Sequence, residues 1–296
     1  MSNKKGVIVW VGDSLSTGFN SEAGTSSGPF GPLNLDEVRI YDRWLDLNVN
    51  QRIGLSSDTT VYGWSPLRYD DSNWQRHGPI PAYYVAGAIV RFLNLDELRV
   101  IGMGVPATDV TQSPPQGNNQ ISWYPGIAAD GLYDRFRDTY ITPAKATSEV
   151  TSDHLYLGTF ASLGNNMNNA DVYTVDSTLD LKENLELLFS SIESELILPG
   201  TTSSQVVTQI SSSLDQIGQY VDIPRLNNCY DQLELWKNES VGGPNYRATA
   251  DLTDISYRPN DPHYSAESTL EMGKRLFQAW LSSTPAGSAF PTVDLS

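Results

Sequence analysis

Five apolar residues in succession, Val7-Ile8-Val9-Trp10-Val11, stop abruptly at Gly12-Asp13-Ser14. A strand with one wet face alternates apolar and polar side chains, and this run has no polar face. It predicts a strand buried on both sides, as in a parallel sheet covered by helices. The turn that ends it leaves the Ser14 hydroxyl exposed at the strand's end.

The chain continues in the same pattern. Residues 79–93 predict a helix, with Pro81 in its first turn and Ala82, Val85, Ala86, Ile89, Val90 and Leu93 at helical spacing. Residues 98–102 form a short apolar strand that runs into Gly102-Met103-Gly104. Residues 153–160 predict another, ending near Gly164-Asn165-Asn166. Residues 181–197 predict an amphipathic helix with Leu185, Leu188, Ile192 and Leu196 on one face. A strand follows at 205–210. Residues 265–281 predict a closing helix that turns Leu270, Gly273, Leu276, Phe277 and Trp280 inward.

Strands alternating with helices predict a three-layer α/β/α sandwich around a central parallel sheet. Sites in such sheets form at the carboxyl ends of the strands. The turns at Ser14, Gly104 and Asn166 each follow a predicted strand and so fall on one edge. The pattern predicts one domain, residues 1–284, with a long insert at about 21–78 and a tail at 285–296. The insert has poor periodicity and carries Trp44, Trp64 and Trp74. Its aromatics either cover the edge of the core or form a substrate rim.

Charge and composition narrow the function. Among 296 residues, 35 acidic side chains face 19 basic ones, a formal charge of −16. Such a chain lacks the basic surface that nucleic acid demands. No stretch approaches the ~20 apolar residues of a membrane span. One cysteine, Cys229, allows neither an internal disulfide nor a cysteine-based metal cluster. The first strand begins so early that no signal peptide is expected, which points to the cytoplasm or, for a phage-encoded chain, the virion.

The search for a general base is short, because His77, His154 and His263 are the only histidines. His263 closes the run Asn260-Asp261-Pro262-His263. With Ser14 it gives the order Ser…Asp…His, one of several in which such triads occur. In that reading Ser14 is the nucleophile, His263 the base and Asp261 the acid that orients it. Ser14 also fits a turn serine capping a helix, and His263 a residue leading into one. His154 starts a predicted strand, which puts it at the opposite end of the sheet. His77 falls in the insert.

Gly12-Asp13-Ser14-Leu15 resembles the name-giving motif of the GDSL, or SGNH, hydrolases. The resemblance implies that Ser14 is the nucleophile. It implies an oxyanion hole made by the backbone N–H groups of Ser14 and Gly104 and by the Asn166 amide. Residues 102–108 resemble the family's N-x-G-x-x-G block, with Gly102 for its Asn and Ala107 for its second Gly. Gly164-Asn165-Asn166-Met167 resembles the G-x-N-D block, with Met167 for its Asp; Asn165 takes the place of Asn166 if the register slips. The family's D-x-x-H spacing would put the acid at position 260. Asn260 stands there, and Asp261 is two residues before the histidine.

His263-Tyr264-Ser265-Ala266-Glu267, with Gly273-Lys274-Arg275 beyond, is similar to the carbohydrate O-acetylesterase branch, which includes sialate O-acetylesterase-like domains. This implies a serine esterase acting on acetylated carbohydrate, with no metal or organic cofactor. Two other readings stay open. One is a lipase or thioesterase with an apolar acyl slot. The other is a structural or carbohydrate-binding component of a homo-oligomer, a phage particle or another assembly, built on the same scaffold.

Overall fold

In the computed structural model the described residues are 4–13, 15, 39–46, 65–66, 81–105, 108–112, 122–127, 131–146, 150–164, 166–167, 175–196, 204–209, 222–239, 246–258 and 263–283. The apolar run becomes β1 (Lys5–Gly12), the middle of the sheet. Its side chains divide between two cores: Val7, Val9 and Val11 enter one, and Ile8 and Trp10 enter the other. A strand buried on both faces needs apolar residues at every position, which is why the run does not alternate.

The described strands follow the order β3-β2-β4-β1-β5-β6-β7. They are β2 (Arg39–Asp46), β3 (Ser65–Pro66), β4 (Glu97–Gly104), β5 (His154–Ser162), β6 (Ser204–Gln209) and β7 (Tyr246–Asp251). Every pairing is parallel except that of β2 with β3. On one face lie α1 (Pro81–Leu93) and α6 (Ala266–Ser283), through Val85, Ile89, Met272, Phe277 and Trp280. The two helices come close because Gly273 has no side chain; a Cβ there would stand 2.8 Å from Tyr84 Cβ. The other face carries α2 (Leu132–Phe136), a π-helical turn (Arg137–Ile141), α3 (Thr142–Ala146), α4 (Leu181–Leu196) and α5 (Ile223–Asn238). The expected three layers are present. Among the described residues no helix is long and apolar enough to cross a membrane.

The structure adds elements that periodicity did not predict. The stretch expected to be an irregular insert supplies β2, which lies parallel to β4, and β3 at the sheet's edge. A two-residue strand such as β3 carries no alternation to read, and β2 mixes charged and apolar residues without a clean period of two. The helix α5 buries Leu226, Cys229, Leu233 and Trp236 at helical spacing, and Asp222 Oδ1 caps it by accepting the Arg225 N–H at 3.3 Å. His77 and the expected tail at 285–296 lie outside the described residues.

Candidate active site

From β1 the chain builds β2, β3 and β4 on one side and then crosses to β5 on the other. At such a reversal the two flanking connections diverge and open a crevice at the carboxyl ends of the strands. Gly12 is there, paired with Gly104 of β4 and Ser162 of β5. The Asp13 N–H donates to Ser162 O at 3.1 Å, so the β1 turn is held against β5. Trp123, fully buried, donates its indole N–H to Gly12 O at 3.2 Å.

Asp13 is completely buried. Its Oδ1 accepts the Leu15 N–H at 2.9 Å. Its Oδ2 accepts a hydrogen bond from Asn166 Nδ2 at 3.1 Å. The same Asn166 Nδ2 donates to Thr108 O at 3.0 Å. The turns after β1, β4 and β5 therefore meet through one side-chain amide. Ser14 itself lies outside the described residues, as do Asn165, Asn260 and Asp261.

Gly104 stands at the end of β4, opposite Gly12 on one side and Asp46 of β2 on the other. The next N–H, that of Val105, donates to Gly12 O at 2.9 Å. Successive N–H groups of a strand point to opposite edges, so the Gly104 N–H is turned towards β2.

The C-terminal segment returns to this edge. Tyr257 and Tyr264 form an antiparallel bridge and stack with ring centroids 4.7 Å apart. The Arg258 N–H donates to His263 O at 2.9 Å, which fixes the backbone on which His263 sits. Burial raises both phenols well above their ordinary range, and the Asp13 charge raises them further. Tyr264, next to His263, and Leu15 of the β1 turn belong to the same core. His263 is half-buried.

His154 is at the opposite edge, as its position in the sequence implied. It opens β5 in register with Lys5. Its Nδ1 accepts the Thr151 N–H at 3.1 Å, so Nε2 carries the proton and donates to Glu97 Oε1 at 3.1 Å. Arg99 Nε donates to the same oxygen at 2.7 Å. Burial would raise Glu97, but hydrogen bonds from Arg99 and His154 and the charges of Arg99 and Lys5 outweigh it and hold the carboxyl low.

One residue of the site escaped the sequence reading. Asp109 is fully buried beyond β4. Its Oδ1 accepts the N–H groups of Val110 at 2.8 Å and Gly164 at 2.6 Å. Its Oδ2 accepts those of Asn166 and Met167, both at 3.0 Å. Gly164 presents its N–H from a left-handed conformation, φ +95°, that a side chain would strain. Burial pushes the Asp109 carboxyl up to about 6 against the lowering pull of these donors. The available signal was a carboxylate set directly behind an apolar strand and its turn. Cys229 lies against the same loop, its thiol 3.8 Å from Gly164 O. Burial and the Asp109 charge raise that thiol and keep it protonated, so it is no nucleophile.

No protein-family model and no curated protein sequence matches the chain. Solved structures do match in fold. A protein from Arabidopsis thaliana is 14% identical, with a TM-score of 0.60 over 94% of this chain and 98% of that one. NanS is 10% identical, with a TM-score of 0.60 over 95% of this chain and 97% of that one. A carbohydrate acetylesterase from Xanthomonas citri is 12% identical, with a TM-score of 0.57; the match covers 94% of this chain but 56% of that protein. At these identities the likeness is one of fold.

Proposed function

We propose that this chain is a serine esterase that removes O-acetyl groups from carbohydrate. The observation that carries the reading is the Asn166 amide, which at one sheet edge joins Asp13 of the turn after β1 to Thr108 beyond β4. The fold shared with a carbohydrate acetylesterase supports it, although fold alone assigns no chemistry.

In this mechanism Ser14 Oγ attacks the ester carbonyl carbon while His263 takes the hydroxyl proton. Asp261 orients the imidazole and stabilises its charged form. The oxyanion is held by the Ser14 backbone N–H and the Asn166 amide. Collapse breaks the bond to the sugar oxygen, which leaves with the proton from His263. Water then attacks the acetyl-serine, His263 takes its proton, and acetate departs as Ser14 recovers its hydrogen.

One observation favours a second reading. Both hydrogens of the Asn166 amide are engaged inside the protein, with Asp13 and Thr108. An oxyanion must share one of them. A scaffold kept for binding or assembly would have no such need.

Hydrolysis of 4-nitrophenyl acetate by the wild type and by Ser14→Ala separates the readings. Loss of about 10³-fold or more in kcat with Ser14→Ala supports the esterase. A folded but inert wild type favours the binding scaffold. Activity indifferent to Ser14→Ala removes Ser14 as nucleophile. A screen of acetylated sugars against longer acyl esters then tests the substrate class.

A further inference from the structure

Among the described residues no cationic side chain is bonded to the Asp109 carboxylate. Each hydrogen bond it receives among the described residues comes from a backbone N–H, two on each oxygen. Four donors fill the acceptor sites of a carboxylate. Three of them, from Gly164, Asn166 and Met167, belong to the single turn that carries Asn166, and they reach Asp109 across 55 to 58 residues of sequence. The preceding residue adds a second grip, since Thr108 O accepts from Asn166 Nδ2 at 3.0 Å. Thr108 and Asp109 thus hold Asn166 by backbone and side chain together. Asp109 is fixed in turn from behind. Its own carbonyl accepts the Trp123 N–H at 2.9 Å and the Ser122 hydroxyl at 2.9 Å. Trp123 also bonds Gly12 O, so β1 and the Asp109 loop share one support.

We propose that Asp109 is a positioning residue of the esterase, the anion that sets the Asn166 amide at the height of the developing oxyanion. It rests on the serine-esterase reading above. An oxyanion-hole donor acts through its placement, and small displacements weaken it. Ionised Asp109 does this without touching substrate: it gathers three N–H groups of a turn that would otherwise be free to shift. Asparagine is not equivalent, because its amide nitrogen accepts nothing and would leave two of the four N–H groups without partners.

The test uses the full chain and 4-nitrophenyl acetate, with kcat and KM measured separately for Asp109→Asn, Asn166→Ala and the double variant. The expected result for Asp109→Asn is a fall in kcat of roughly 10- to 100-fold with KM within about twofold. Added to Asn166→Ala, the same change costs little further, since the group it positions is already gone. Asp109→Glu serves if the asparagine variant does not fold: it keeps the charge but pushes the turn outward, and a fall in kcat is again expected. A folded variant with wild-type kcat, or full additivity with Asn166→Ala, overturns the proposal. Ser14→Ala, run alongside, keeps the two ideas apart. If it retains activity, the esterase reading fails; if it alone loses activity, only the role of Asp109 fails.

Discussion

Glu97 and Asp109 are buried carboxylates at opposite edges of one sheet, and they are stabilised by different means. Glu97, at the amino edge, has side-chain partners: Arg99 at 2.7 Å and His154 at 3.1 Å. Its carboxyl is held low. Asp109, at the carboxyl edge, has among the described residues only backbone donors, and burial raises it to about 6. Cations neutralise Glu97 locally and tie down side chains. Backbone donors leave Asp109 with a net burial penalty but fix the path of a loop. The first arrangement suits stability, and the second suits a site whose backbone must not move.

The largest expected contrast is in rate. Asp109→Asn lowers kcat by roughly 10- to 100-fold, whereas Glu97→Gln leaves it at the wild-type value. Steady-state hydrolysis of 4-nitrophenyl acetate checks both, and an equal fall in the two variants would erase the distinction between the edges.

Stability runs with pH in opposite directions at the two residues. Asp109 has a raised folded pKa, so below about 6 the native state holds a proton that the unfolded chain gives up near 3.8. Its contribution therefore declines as pH rises from about 4 to about 6, by roughly 3 kcal/mol over that window. Glu97 has a lowered folded pKa. Its contribution is present above the ordinary glutamate value and is lost as pH falls through the folded value. Urea unfolding between pH 3 and 7 reads both slopes. Asp109→Asn removes the decline, and Glu97→Gln removes the loss in acid; unchanged slopes would refute the assignment.

At pH 7, Glu97→Gln costs about 1–2 kcal/mol, because two donors lose a charged acceptor. Asp109→Asn changes stability less, since relief of the buried charge offsets the orphaned N–H groups. Thermal melting of the two variants sharpens the comparison, and a larger loss for Asp109→Asn would reverse it. The smallest effect belongs to His154→Gln. It removes one hydrogen bond to Glu97, costs about 1 kcal/mol, and leaves hydrolysis unchanged; any fall in kcat would return His154 to the search for a general base.

Much of this arrangement was legible from local pattern. The unbroken apolar run at Val7–Val11 required cover on both faces, and the structure provides two cores for it. The helices ending in Leu93 and beginning near Leu181 fall within a residue or two of their expected bounds. The turn carrying Asn166 follows β5 as expected. Other parts left weak local marks. The strand β7, Tyr-Arg-Ala-Thr-Ala-Asp, has too little apolar contrast to stand out, and β2 lay inside a stretch without clear period.

The sequence by itself determined the class of the fold, because burial on two faces and helical spacing are written in neighbouring residues. It also pointed to one sheet edge, since strand ends are local features. Which carboxylate would hold the Asn166 turn was decided by tertiary structure alone. Asp109 and its donors are separated by 55 to 58 residues, and only parallel packing of β4, β1 and β5 brings them together. The same packing separates His154 from His263, two imidazoles that composition cannot tell apart.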